Sequence, residues 1–177
     1  MRSPQTGPSG IKKLLPHRHP ILLIDRITDL VPGERLTALK AVTCDEPWYG
    51  GLPDDADDEA YTYPAALLLE SWCQSAAALM AAGEPDAEAR AAGVLLFGGM
   101  SGVRFTGAVR PGDAVVHQAR VTRAFDDTVA FEGESRVDGA TVLEVGQVMI
   151  ARRPADSADS ADPAGAVAPA GQGRSRA

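Results

Sequence analysis

A chain of 177 residues, 45 % hydrophobic and 23 % charged, is long enough for one compact domain with a buried core and gives no reason for a second. Its formal net charge of −7 argues against a general affinity for nucleic acid, because phosphate neutralisation needs clustered Lys and Arg and these occur only in short pairs. Cys44 and Cys73 are too few and too far apart for a disulfide framework or a four-ligand zinc site, and read as reduced thiols of a cytoplasmic protein.

In chain order, residues 1–9 lack the apolar core of a secretory signal and read as a disordered tail; no apolar run approaches the ~20 residues of a membrane helix. The folded unit is expected over residues 10–153. IKKLL reads as a short amphipathic turn stopped by Pro16, ILLIDRITDL as a partly buried strand ending at Pro32 and Gly33, and RLTALKAVTC as its partner strand. Pro64 stands where the first turn of a helix tolerates proline, and AALLLESWCQSAAALMAA then runs without a breaker to Gly83. This predicts a long helix over about 64–82, apolar nearly all round and therefore buried, with Ala76, Ala77 and Ala78 letting a sheet approach closely.

After a charged loop, VLLFGGMSGVRF, AVVHQARVTRAF, TVAFEGESRV and ATVLEVGQVMIARR predict four strands, joined by turns at Pro111 to Asp113, Asp126 and Asp127, and Asp138 and Gly139. Antiparallel strands around one buried helix make an α+β fold, a curved sheet wrapped around the helix. Residues 154–177 are Ala, Asp, Ser, Pro and Gly with little to bury, and read as a second disordered tail.

No phosphate-cradling glycine loop, dinucleotide fingerprint or Cys and His cluster at ligand spacing occurs, so neither metal nor cofactor is expected. Asp54, Asp55, Asp57, Asp58 and Glu59 lack the glycine and final glutamate of a calcium loop and read as a solvated acidic loop.

LLPHRHPILLIDRI, DEPWYGG, YPAALLLESWCQ and FGGMSGVRFTGAVRPGD follow one another over nearly all of Ile11 to Ala151. In this order they resemble the successive motifs of the FabZ-type (3R)-hydroxyacyl-acyl carrier protein dehydratases. The resemblance implies the hotdog fold, a long helix lying in a strongly bent antiparallel sheet. It also implies water elimination from a 3-hydroxyacyl thioester, in which a histidine takes the C2 proton and a carboxylic acid on the central helix protonates the departing hydroxyl. Glu70 falls on the acid position. Burial in an apolar helix would raise its pKa, as suits a proton donor at neutral pH.

Gln74, one turn later, is placed to hold Glu70 or line the channel. The backbone amide of Ala65, at the expected helix N-terminus, would stabilise a developing thioester enolate oxygen. Tyr63 is expected beside the substrate. Arg104 or Arg110 would pair with carrier-protein carboxylates or with the phosphate of its phosphopantetheine arm, although Arg104 equally suits a role in securing the sheet. Arg120 and Arg123 join them as candidates for a local basic patch toward an acidic partner, and read at least as well as scattered solubilising charge.

The departure from the family lies upstream of the helix. In place of its glycine, histidine, phenylalanine, proline run stand Gly51, Leu52 and Pro53, followed by the insertion DDADDEAYT before Tyr63 and Pro64. No histidine occurs between Glu46 and Glu70, and Leu52, at the degenerate base position, cannot accept a proton. His17 and His19 lie in a segment whose family counterpart is structural, and His117 lies mid-strand. Tyr61 and Tyr63 carry phenols of ordinary pKa about 10, poor bases for a C2 proton.

In the family the active site spans a dimer interface, the histidine of one protomer facing the acid of the other. The resemblance therefore implies a subunit inert as a homodimer that completes one site with a related, histidine-bearing subunit. The expected partners are an acyl carrier protein and that subunit, or further copies of this chain in a homodimer or hexamer, with no nucleic acid, membrane or metal. The rival expectation is a non-catalytic scaffold that binds acyl carrier protein. A hotdog thioesterase is a third, against which the PHR and PGD motifs count.

Overall fold

A computed structural model describes residues 5–84, 93–125 and 127–154. Helix α1 (Pro8–Leu14) precedes strands β1 (Arg26–Val31) and β2 (Arg35–Ala41), a 3-10 turn (Pro47–Tyr49) and helix α2 (Ala65–Gly83). Four strands complete the order: β3 (Gly93–Phe105), β4 (Ala114–Phe125), β5 (Thr128–Val137) and β6 (Ala140–Pro154). All six pair antiparallel in one sheet, in the order β1-β2-β4-β5-β6-β3. Helix α2 lies against β2, β4, β5 and β6, so the sheet wraps the helix as expected for an α+β hotdog.

Two of the predicted turns, at Pro111 to Asp113 and at Asp138 and Gly139, join strands, whereas Asp126 of the third lies outside the described residues. Asp138 and Gly139 both take positive φ, 49° and 84°, the two-residue turn whose twist matches the flanking strands, and it joins Val137 to its partner Ala140. Register shifts at Val121/Arg123 and Phe131/Gly133 are bulges that increase twist and bend the sheet about α2. At Gly133 the bend leaves no room for a side chain, because a Cβ would stand 1.9 Å from the Gln118 carbonyl oxygen and 3.2 Å from the Trp72 ring.

The core is apolar, with Trp72, Leu79, Phe131 and Leu143 fully buried between helix and sheet. Polar contacts fix the helix within it: Trp72 Nε1 donates to the Gln118 carbonyl at 2.9 Å, and His117 Nε2 and Nδ1 lie 2.7 and 2.8 Å from the hydroxyls of Ser71 and Ser135. One imidazole thus ties α2, β4 and β5. Lys40, only 6 % exposed, is paired with Glu46 and donates to the Ala41 carbonyl. The Arg104–Glu144, Arg120–Glu132 and Arg136–Glu134 pairs are partly solvated and contribute at most about 1 kcal/mol each, so burial holds the fold.

Three expectations change. Residues 5–9, assigned to the tail by composition, join the fold: Thr6 exchanges two backbone hydrogen bonds with Ile27, and α1 begins at Pro8. Residues 1–4 and most of the C-terminal tail lie outside the described residues. The strand expected from Ile21 starts only at Arg26, because Gln74 of α2 takes the Leu23 N–H and donates to the Ile21 carbonyl, groups that a sheet ladder would otherwise use. Finally, α2 is long and apolar enough to cross a membrane by length and composition, contrary to the expectation that no run approaches that length. Its burial against the sheet accounts for that composition.

His117 makes the fold acid-sensitive. Burial, and then the Lys40 charge, push its pKa from 6.5 down to about 3, so the folded protein holds it neutral while the unfolded chain takes a proton. Its contribution is fully present above about pH 6.5 and is lost progressively as pH falls toward 3. Urea unfolding at about pH 7.5 and about pH 5 should differ by a loss on the order of 2 kcal/mol. His117→Gln, which retains a donor and an acceptor but does not titrate, should flatten that difference.

Candidate active site

Helix α2 presents Ala66, Glu70, Cys73, Gln74 and Ala77 along one stripe, three or four residues apart, as the floor of a cavity of about 470 Å³. Leu95, Phe97 and Met100 of β3 form a wall, and Pro16 and His17 close one side. Strand β3 is an outer strand of the sheet, and Leu96, Phe97, Met100 and Phe105 on it are exposed, Phe97 by 57 %. The cavity therefore has an apolar lining and one wall built from an unpaired strand edge.

Glu70 is the carboxylate of this cavity. The close burial expected from its apolar helix is not found: 38 % of its side chain is exposed, because β3 covers it from one side only. Gln74 Nε2 donates to Glu70 Oε1 at 2.9 Å, and Gln74 lines the same cavity. The same amide holds Ile21 and Leu23, binding residues 16–25 as a strap across α2.

The strap brings His17 to the acid, with Nε2 3.5 Å from Glu70 Oε1. Sequence spacing holds no signal for this contact: it joins residues on two elements, and His17 follows a helix stop, outside any periodic pattern. Arg18 fixes the bend by donating from one guanidinium nitrogen to the Leu15 and His17 carbonyls, at 2.8 and 2.7 Å, and from another to the Lys12 carbonyl. His19 is exposed and His117 is sealed in the core, so neither serves this cavity.

The other expected site residues lie elsewhere. Ala65 is the first residue of α2, where amides lack intrahelical acceptors, but Ala66 is the residue that lines the cavity. Tyr63 is buried outside the cavity lining, edge-on to Trp48 with the Lys40 ammonium 5.8 Å from its ring centre. Burial, then Glu46, raises its pKa, which disqualifies it as a base. Leu52 packs against the core. Arg104 lines a separate cavity with Arg120, Glu132 and Glu144, and Arg110 is engaged by Glu59 of the acidic loop. Sequence reasoning missed a different basic group: Lys12, Lys13, Arg18 and Arg152 line a groove of about 380 Å³ that shares Pro16 and Leu95 with the Glu70 cavity. No carboxylate lines it among the described residues.

The FabA-like domain model matches residues 15–146. The 3-hydroxyacyl-acyl-carrier-protein dehydratase FabZ of Thiobacillus denitrificans is 36 % identical over 134 residues, covering 76 % of this chain and 89 % of the relative. The protein of the same name from Shewanella loihica is 38 % identical over 147 residues, covering 81 % and 90 %. Among solved structures, the dehydratase heterocomplex ApeI:P from Xenorhabdus doucetiae superposes with a TM-score of 0.67 at 15 % identity, over 84 % of this chain and 94 % of that one. A hot-dog-like protein from Thermanaerovibrio acidaminovorans gives 0.56 at 15 %, over 73 % and 88 %. At those identities the structural likeness concerns the fold alone.

The cavity also predicts which thiol reacts. Burial, and then Glu70, push the Cys73 pKa up to about 12, whereas Cys44 is exposed. At pH about 8 only some 1 in 10⁴ of Cys73 is thiolate. Iodoacetamide under native conditions should label Cys44 and leave Cys73 unmodified, as peptide mass mapping would read.

Proposed function

Because the chain belongs to the FabA-like domain family and has FabZ-type dehydratases among its relatives, we propose that it is a 3-hydroxyacyl-acyl-carrier-protein dehydratase-type subunit. In this reading it supplies the acid Glu70 to a site whose C2 base is a histidine of a partner subunit, on the pathway to a fatty acid or polyketide in the cytoplasm. A base removes the C2 proton, the electron pair forms the C2–C3 double bond, and the C3–O bond breaks as the Glu70 proton passes to the hydroxyl, which leaves as water.

The observation that carries this reading is the incomplete wall of the cavity. Glu70 stands at an apolar pocket that the unpaired edge of β3 bounds with exposed Phe97 and Met100. A strand of another chain added there would cover these side chains, exclude water from the acid and bring the partner's catalytic group within reach. The absence of any histidine between Glu46 and Glu70, with Leu52 partly buried against the core, supports a base from outside this segment. The groove of Lys12, Lys13 and Arg152 beside the cavity suits a phosphopantetheine phosphate or carrier-protein carboxylates better than Arg104, which is engaged by Glu144.

The test is Glu70→Gln in the complex co-purified from the native host. Dehydration should fall by about 10²- to 10⁴-fold, and the purified chain alone should be inactive or weak. Full activity of the mutant complex would make the chain a scaffold.

The groove makes a separate prediction. Lys12→Glu with Lys13→Glu should raise KM for the carrier-linked substrate about tenfold, in a salt-dependent way, and leave a short pantetheine thioester unaffected. Steady-state kinetics with the two substrates would read the difference.

A further inference from the structure

The acid of such a site ends every turnover as a carboxylate and must regain a proton before the next. Gln74 cannot return it, since an amide does not titrate. Among the described residues that line the cavity, the side chains beside Glu70 that carry a transferable proton are the Cys73 thiol, a weak donor with its pKa raised by burial, and the His17 imidazole. His17 lines the cavity beside Glu70, with its side chain 28 % exposed and Nδ1 without a hydrogen-bond partner among the described residues. Its Nε2 stands 3.5 Å from the Glu70 oxygen that Gln74 also engages. That separation is longer than a hydrogen bond, as catalytic contacts often are before substrate closes the site.

The contact is built into the fold. On one side of His17, Arg18 fixes the peptide through the Lys12, Leu15 and His17 carbonyls; on the other, Gln74 grips Ile21 and Leu23. The strap is thus tied to its own helix and to α2 on either side of the imidazole. Such double anchoring is the preorganisation that a proton transfer between two side chains requires.

Resting on the dehydratase reading of the Glu70 cavity, we propose that His17 is a positioning and proton-relay residue for Glu70. After the hydroxyl has left as water, the imidazolium passes its Nε2 proton to the Glu70 carboxylate; because Nδ1 is buried, the neutral imidazole regains a proton at the same Nε2 from solvent that enters the cavity. No oxidant or further reactant is needed, and the C2 proton leaves separately on the partner's base. The relay acts within one protomer, between two side chains that the strap holds together.

The test compares His17→Ala, His17→Gln and Glu70→Gln in the co-purified complex, with complex integrity checked by size-exclusion chromatography. Both His17 variants should lose kcat on the order of 10²-fold with KM unchanged. Free imidazole should restore part of the His17→Ala rate in proportion to its concentration and do nothing for Glu70→Gln. Parental kcat in His17→Gln, which can still hydrogen-bond to Glu70 but cannot relay a proton, would overturn the assignment, as would an unaffected His17→Ala. A fully active Glu70→Gln complex would instead defeat the dehydratase reading itself. Turnover by the isolated chain that vanishes in His17→Ala would make His17 the C2 base, and would replace both the relay and the partner's histidine.

Discussion

The Gln74 side-chain amide is the constraint on which the site depends. It is almost wholly buried, and it satisfies three groups at once: the Leu23 N–H, the Ile21 carbonyl and Glu70 Oε1. Loss of any of them would leave a buried polar atom unpaired, at a cost of about 1–3 kcal/mol. The geometry of the strap and the orientation of the acid are therefore coupled. A strap that lifted away would also free Glu70 from its amide and remove His17 from beside it.

The electrostatic logic of the cavity follows from what encloses it. In the single chain Glu70 stands on the floor of the cavity before the apolar wall of β3 but remains partly open to water, which screens its interactions. A neighbouring chain on the β3 edge would lower the local dielectric and strengthen each contact to the carboxyl. The same edge exposes apolar side chains that an isolated sheet does not leave uncovered without cause.

Much of the architecture was legible because local signals and global fold agree. The Asp138 and Gly139 pair specifies a tight hairpin, the uninterrupted apolar run after Pro64 specifies a buried helix, and both appear where they were read. The signals failed where a tertiary contact displaced a local preference. Ile21 to Asp25 has the composition of a strand, yet a helix side chain takes its backbone groups. Thr6, in a stretch too polar to fold alone, is ordered by pairing with Ile27. Arg104 reads equally as ligand-binding or structural, and only the position of Glu144 across the β3–β6 ladder favours the second role.

Sequence alone determined the α+β class, the helix that carries Glu70, the Glu70–Gln74 spacing and the absence of any histidine between Glu46 and Glu70, because each is written in residue types at short separation. Tertiary structure decided that His17 stands beside Glu70, that Tyr63 and His117 belong to the core, and that four basic residues from the two ends of the fold gather beside the cavity. These are meetings between distant segments. They depend on how the sheet bends and where the strap crosses the helix, quantities that no local pattern of apolar and polar residues encodes.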